Sequence, residues 1–301
     1  MSNLSVPVVV GAYAAMPTDV AEQEEFYAQL AQIAGATALE IPFHKTGLNV
    51  ETGWLAQQMR GRFTQSIITL IPGTMARVGE TGVFGLASTD EGGRTAGLDF
   101  VRQAREVAEE INQATGAQSV SALHIHSAPS VKADKQAFAK SLEELLSEDP
   151  WSTRLVIEHC DAYSPEIAGE KRFLSLDAEI AAAQQAGLGI TVNWGRSAVE
   201  AQDGERPSEH LRALVDTGVL EGLMFSGAGH KANQYGGEWA DAHLPLTADE
   251  PTSLMDAAEV ARCLEIVADA PRYVGAKIQA PKTASVDQRI AMISNITQLL
   301  K

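Results

Sequence analysis

Short apolar runs recur eight times along the chain, at 6–13, 37–43, 66–72, 120–127, 154–160, 189–194, 220–226 and 273–279. After each comes a segment with apolar residues at three- and four-residue spacing: 20–34, 51–62, 95–115, 132–147, 175–186, 208–217, 254–268 and 286–300. The first pattern predicts buried strands and the second amphipathic helices. Gly35, Gly116, Gly187 and Gly218 are expected to stop four helices, where a left-handed residue costs glycine least. Strict alternation of strand and helix favours a parallel sheet, and eight units suit closure into a (β/α)₈ TIM barrel. An open doubly wound sheet is the alternative, but the first run ends Gly11-Ala12-Tyr13-Ala14-Ala15 and lacks a GxGxxG phosphate turn. The 301 residues are expected to form one barrel domain, 1–301, somewhat above the roughly 250 typical of the fold. Two long non-periodic stretches, 73–93 and 228–251, are read as loops on the functional face, after strands three and seven.

Strand side chains alternate between two faces, one meeting the helices and the other filling the barrel. Leu39, Ile41 and Phe43 suit the helix side, so Ala38, Glu40 and Pro42 point inward. The same parity turns His124 and His126 inward on strand four, and Val156, Glu158 and Cys160 on strand five. It adds Thr191 and Asn193, then Met224 and Ser226, then Gly275, Lys277 and Gln279. One rule therefore gathers Glu40, His124, His126, Glu158, Asn193, Ser226, Lys277 and Gln279 in one cavity. A buried polar group without a partner costs roughly 1–3 kcal/mol. A barrel can be filled with Val, Ile and Leu alone, so this set must be mutually hydrogen-bonded, wet, or ready for a ligand.

Composition narrows the function classes. The formal charge of −16 repels phosphate backbones, so no nucleic-acid partner is expected. Cys160 and Cys263 belong to no CxxC pair, which fits a reducing cytoplasm and implies no disulfide framework. The apolar run before Ala15 lacks a basic leader, since no Lys or Arg precedes Lys45, and it is too short to span a membrane. It reads as the first strand.

Individual motifs leave alternatives open. His124-Ile125-His126 places two imidazoles on one strand face, suited either to a zinc ion or to hydrogen bonding with a ligand. Lys277 can act as a neutral imine-forming amine or, with Glu158 and Glu40 in the same cavity, as a protonated oxygen holder; Tyr13 at the end of strand one is placed to reach it. The 228–251 segment, with His230, Trp239, Asp241 and His243 and with glycines at 227, 229, 236 and 237, reads as a lid or wall. Arg196 suits an anionic group or the surface. Trp194 suits packing by parity, and a sugar-stacking role is its alternative.

At Ala38-Leu39-Glu40-Ile41-Pro42, Leu155-Val156-Ile157-Glu158 and Asp241-Ala242-His243-Leu244-Pro245 the chain resembles the xylose-isomerase-like TIM barrels. That group contains sugar isomerases, ketose 3-epimerases and endonuclease-IV-type enzymes. Within it the chain is similar to a bacterial family known as a domain of unknown function, over nearly its whole length. The resemblance implies a divalent metal on Glu, Asp, His and Glu at the ends of strands five to eight. Here Glu158 matches the first ligand, while Asn193, Ser226 and Gln279 or Lys277 stand at the other three. Neutral oxygens are weak ligands, so the protein is expected to hold no tightly bound metal, although a divalent ion is possible; if one binds, Glu158 and His126 are its ligands.

The leading expectation is an enzyme moving a proton next to a carbonyl of a small sugar or sugar acid, an isomerase, epimerase or related lyase. Glu158 is its general base, Lys277 or His126 holds the oxyanion or supplies a proton, and Glu40, His124, Asn193 and Gln279 orient hydroxyls. Ser226, His230, Trp239, Asp241 and His243 complete the binding wall. A metal-assisted hydrolase on His126 and Glu158, and a sugar-binding barrel without catalysis, are the alternatives. A homo-oligomer is compatible with all three.

Overall fold

The computed structural model describes residues 6–301; residues 1–5 of the expected domain lie outside it. Eight parallel strands close into a barrel in sequence order, β1 to β8, with β1 also pairing β8. They are β1 Val8–Val10, β2 Ala36–Pro42, β3 Ser66–Thr69, β4 Val120–Ile125, β5 Arg154–His159, β6 Gly189–Asn193, β7 Leu220–Phe225 and β8 Tyr273–Ala276. Val9, Ala38, Ile67, Ala122, Val156, Met224 and Tyr273 form a separate apolar cluster. These positions share the inward parity, so the cluster is the barrel's own plug. The larger core lies between sheet and helices and includes Leu39, Ile41, Leu123, Ile125, Leu155 and Ile157, the helix-side residues of the parity rule.

Among the described residues ten α-helices wrap the barrel: α1 Val20–Leu30, α2 Thr52–Met59, α3 Ile71–Thr81, α4 Glu91–Thr115, α5 Lys135–Leu146, α6 Leu176–Ala186, α7 Trp194–Ala201, α8 Arg206–Thr217, α9 Ala257–Val267 and α10 Val286–Gln298. Asp19, Asp90, Asp134, Ser175, Asp256 and Ser285 cap their N-termini with side-chain oxygens, satisfying amides that the helix itself leaves free. Gly116, Gly187 and Gly218 end α4, α6 and α8 in the left-handed conformation. Gly35 also has positive φ but lies beyond α1, which ends at Leu30 with Ala31 as its cap.

Two expectations need correction. Residues 73–93 are not one long loop: Pro72 starts α3 and Gly82 ends it. Gly73 and Gly79, poor helix formers, hid the Ile71, Thr74, Val78 spacing. Gly73 is there for contact, since a Cβ would come 2.3 Å from the Phe100 ring. The segment after β6 also forms a helix, α7, before α8 begins. It buries Trp194 completely in the outer core, so that ring packs rather than stacking on a ligand.

Candidate functional site

The inward polar residues converge at the C-terminal ends of the strands, where this fold carries its chemistry. Glu158 at the end of β5 is fully buried, as are His124, Asn193, Ser226 and Lys277, with Glu40 2% and His126 3% exposed. Glu158 is saturated with donors. Thr69 Oγ1 (2.8 Å) and His126 Nε2 (2.7 Å) donate to its Oε2, and Arg196 Nη1 donates to Oε1 at 2.5 Å. Burial alone would raise its pKa, but the Arg196 guanidinium and the His126 hydrogen bond hold it well below the usual carboxylate range. Since Oε2 is ionised, the proton of His126 sits on Nε2; burial keeps this imidazole's pKa below the ordinary value.

Arg196 continues the chain of charges outward. Its Nε donates to Asp241 Oδ2 at 3.0 Å, and Lys171 Nζ reaches the same oxygen at 3.0 Å. Asp241 Oδ1 lies 3.1 Å from His243 Nδ1, which also shares a 2.8 Å hydrogen bond with the Ser226 hydroxyl. Burial opposes the charge on Asp241, yet Lys171 nearby keeps it well below the ordinary aspartate value. The 228–251 segment thus delivers Asp241 and His243 into the site, while His230 is exposed and Trp239 half-buried beside it, ring centroids 6.4 Å apart.

On the opposite side, Lys277 Nζ lies 3.0 Å from Glu40 Oε2 and 5.2 Å from the centre of the Tyr13 ring. Burial works against the Lys277 charge, but Glu40, with Tyr13 and Glu158 behind it, raises the pKa. Gly11 makes this geometry possible: a Cβ there would sit 2.7 Å from Lys277 Cβ and Cγ. The Glu40 contact is electrostatic and lies off hydrogen-bond directions, because neither Glu40 oxygen nor Lys277 Nζ has a hydrogen-bond partner. His124 Nδ1, His126 Nδ1, Asn193 Nδ2 and Asp241 Oδ1 are likewise buried without partners. Glu40 and Tyr13 border a cavity of about 160 Å³ that extends to the helix side of β2, where Tyr27, Leu39, Ile41 and Leu55 wall it; Lys277 does not line it.

Two residues of the expected set serve the protein itself. Asn193 Oδ1 accepts from the amides of Gly195 (3.1 Å) and Arg196 (3.3 Å), capping α7 and aiming Arg196. Gln279 Nε2 donates to the Ala242 carbonyl (2.7 Å), and its amide donates to the carbonyl of His243, so it anchors the Asp241–His243 stretch. Thr69, Lys171, Arg196 and Tyr273 are participants that sequence reasoning did not place in the site. The Tyr273 hydroxyl bonds His124 Nε2 at 2.7 Å and also Thr191. Asparagine directly before a helix was a readable cap signal, and it would have aimed attention at Arg196.

The four-ligand metal pattern implied by the resemblance does not fit these residues. Glu158 already takes Arg196, Asn193 Oδ1 caps a helix, Ser226 is tied to His243, and Gln279 is turned to the backbone. Glu40, His124 and Glu158 do bring ligand atoms within 4.8 Å of one another. Yet Lys277 and Arg196 already neutralise those two carboxylates, so a further cation there gains no net attraction from the group.

Residues 9–292 match the model of a family described as a domain of unknown function, DUF4862. The chain belongs to this family. A Salmonella typhimurium (strain LT2) protein, "Uncharacterized protein STM3670", is 33% identical over 306 residues, covering 97% of this chain and 96% of that protein. Solved structures share the barrel at low identity. A D-tagatose 3-epimerase-like protein is 14% identical with a TM-score of 0.62, covering 98% and 97% of the two chains. A xylose isomerase domain protein from Alicyclobacillus acidocaldarius is 12% identical with a TM-score of 0.55, covering 98% of both. An AP endonuclease, family 2, from Brucella melitensis is 13% identical with a TM-score of 0.55, covering 93% and 95%. This chain therefore shares the barrel fold of these structures.

Proposed function

We propose that the protein is an acid–base enzyme acting on a small hydroxylated carbonyl compound of the sugar or sugar-acid type, moving a proton on the carbon next to the carbonyl. One observation carries the reading: the buried Glu40 carboxylate has no hydrogen-bond partner on either oxygen, lies 3.0 Å from the Lys277 ammonium, and opens on a cavity. Glu40 takes the proton from the α-carbon. The electrons move into the carbonyl, and Lys277 holds the resulting enolate oxygen by its charge. Return of the proton from Glu40 to the neighbouring carbon, with the hydroxyl proton passing to the enolate oxygen, completes an isomerisation; an epimerisation needs a second proton donor on the opposite face of the enolate.

This reading moves the base from Glu158 to Glu40. A carboxylate bonded to an arginine, a histidine and a threonine is a weak proton acceptor. Glu158, His126, Arg196 and Asp241 instead form a rigid charged wall, and the unpartnered His124 Nδ1 and Asn193 Nδ2 supply hydroxyl contacts. The sugar-processing neighbours support the substrate class at the level of the fold alone. The charge of −16 supports a small molecule rather than a nucleic acid as ligand. No helix among the described residues is long and apolar enough to cross a membrane, and the two cysteines are unpaired, in keeping with a cytoplasmic setting.

The test is solvent exchange. Short aldoses, ketoses and sugar acids are incubated in D₂O and the carbon-bound protons are followed by NMR. Deuterium should enter next to the carbonyl of at least one compound, and Glu40→Gln should lower the rate by at least about 100-fold. Exchange that survives Glu40→Gln would return the role to another base. Binding without exchange for every compound bound would establish a sugar-binding barrel that lacks catalysis.

A further inference from the structure

The residue after Glu158 faces the other way. His159 leaves the barrel interior and meets α6, α7 and α8, where none of its partners belongs to the site at the strand ends. His159 Nε2 lies 3.2 Å from Glu200 Oε2, and His210 Nε2 lies 3.2 Å from Glu200 Oε1. The two imidazoles meet edge to face, 4.9 Å between centroids. One ligand atom from each of the three residues falls within 4.8 Å of the others. A tetrahedral zinc with bonds of about 2.0–2.1 Å spaces its ligand atoms about 3.3 Å apart; each imidazole already lies 3.2 Å from one oxygen of Glu200, the two rings using different oxygens, so a small rotation of the carboxylate closes the set on one ion.

The remaining ring nitrogens are held as those of metal-binding histidines are. His159 Nδ1 faces Glu179 Oε2 at 2.7 Å, and Glu179 Oε1 accepts from Ser127 Oγ at 2.5 Å. His210 Nδ1 shares a 3.0 Å hydrogen bond with Ser197 Oγ. Such outer partners fix which nitrogen points at the metal and raise its basicity. Glu200 is oriented as well, accepting from the Ala162 amide at 2.8 Å. The Glu200 and His210 side chains are 16% and 7% exposed, so an ion can reach the group from solvent.

We propose that His159 Nε2, His210 Nε2 and the Glu200 carboxylate bind one zinc-type divalent ion on the outside of the barrel, with water as the fourth ligand. Two imidazoles and one carboxylate are a donor set for a borderline transition metal rather than for magnesium or calcium. The ion ties α7 and α8 to the end of β5. Arg196 lies one turn before Glu200 on α7, so the same ion steadies the helix that brings the guanidinium to Glu158. This site stands apart from the strand ends, and an ion held here would overturn the expectation that the protein carries no tightly bound metal. The competing arrangement is a purely ionic cluster, with a protonated His159 between Glu179 and Glu200.

The experiment uses the full chain, stripped with a chelator and dialysed, then loaded with Zn²⁺ or Co²⁺ and gel-filtered. Elemental analysis should find one zinc per chain, and the Co²⁺ form should show the intense visible absorption of four-coordinate cobalt. His210→Ala should abolish both signals, Glu179→Gln should weaken zinc binding about 10- to 100-fold, and Glu40→Gln at the strand ends should leave it unchanged. If His210→Ala fails to fold by circular dichroism, Glu200→Gln takes its place. Failure of the wild-type chain to retain zinc, zinc retained undiminished by the ligand variant, or zinc lost in Glu40→Gln would each overturn the proposal.

Discussion

Glu158 and Glu40 project into the same barrel from strands on different sides of it, and both are almost wholly out of solvent. Glu158 has three donors on its two oxygens, while Glu40 has a single ammonium nearby and no directed hydrogen bond. Burial is thus the same and satisfaction is opposite. A buried carboxylate surrounded by donors is a structural charge, stabilised in its ionised form and reluctant to move. One left short of partners is costly to the fold and is retained where a ligand completes it. The contrast indicates which half of the mouth holds the scaffold and which half holds the chemistry.

The comparison can be broken most directly at Arg196. Arg196→Met removes the shared cation of Glu158 and Asp241 and should cost about 3–5 kcal/mol in urea unfolding. Glu40→Gln should cost clearly less, about 1–2 kcal/mol. Equal costs would erase the distinction between wall and reacting half. Acid titration tests the same division. The folded pKa values of Glu158 and Asp241 lie below their unfolded ones, so their contribution is complete above the unfolded values of 4.5 and 3.8 and is lost as pH falls below them. His124, His126 and His243 are held neutral by burial, so the unfolded chain gains protons first as pH falls through 6.5. Unfolding midpoints should therefore decline below about pH 6.5 and steepen below about 4.5. Glu158→Gln should flatten the steep limb; an unchanged limb would count against the wall.

Two smaller effects sharpen the picture. Lys277 is held charged by Glu40, so borohydride added with a reactive carbonyl sugar should leave no reduced adduct on it by peptide mass mapping. An adduct would mean an imine-forming amine and a different mechanism. At the rim, His230→Ala should change stability by no more than about 0.5 kcal/mol and turnover by less than about 3-fold, because His230 is exposed and faces only Trp239. A large loss would extend the site outward along the loop.

Much of the site was legible because a strand has a period of two. Once Leu39, Ile41, Leu123, Ile125, Leu155 and Ile157 are assigned to the helix side, Glu40, His124, His126 and Glu158 must share the interior, and the barrel carries them to one end. The helical segments after β3 and β6 were harder to read. Gly73 and Gly79 weaken the local helical signal of α3, and only the Phe100 ring explains the first of them. Arg196 looks the same in sequence whether it lies on the surface or, as here, 1% exposed between Glu158 and Asp241. Gln279 has the inward parity of a ligand-binding residue, yet its amide is consumed by the Ala242 carbonyl.

The order of the eight strands, the closure of the barrel and the inward set of polar residues follow from the sequence by itself, because the periodicity of apolar positions is a local property of a chain. Partner choice follows from the tertiary structure alone. Which carboxylate receives the arginine and which is left with a lone ammonium depends on side chains 38 and 237 residues apart meeting at distances of 2.5 and 3.0 Å. At such separations a shift of an ångström changes a hydrogen bond into a mere proximity of charges, and no local pattern encodes a shift that small.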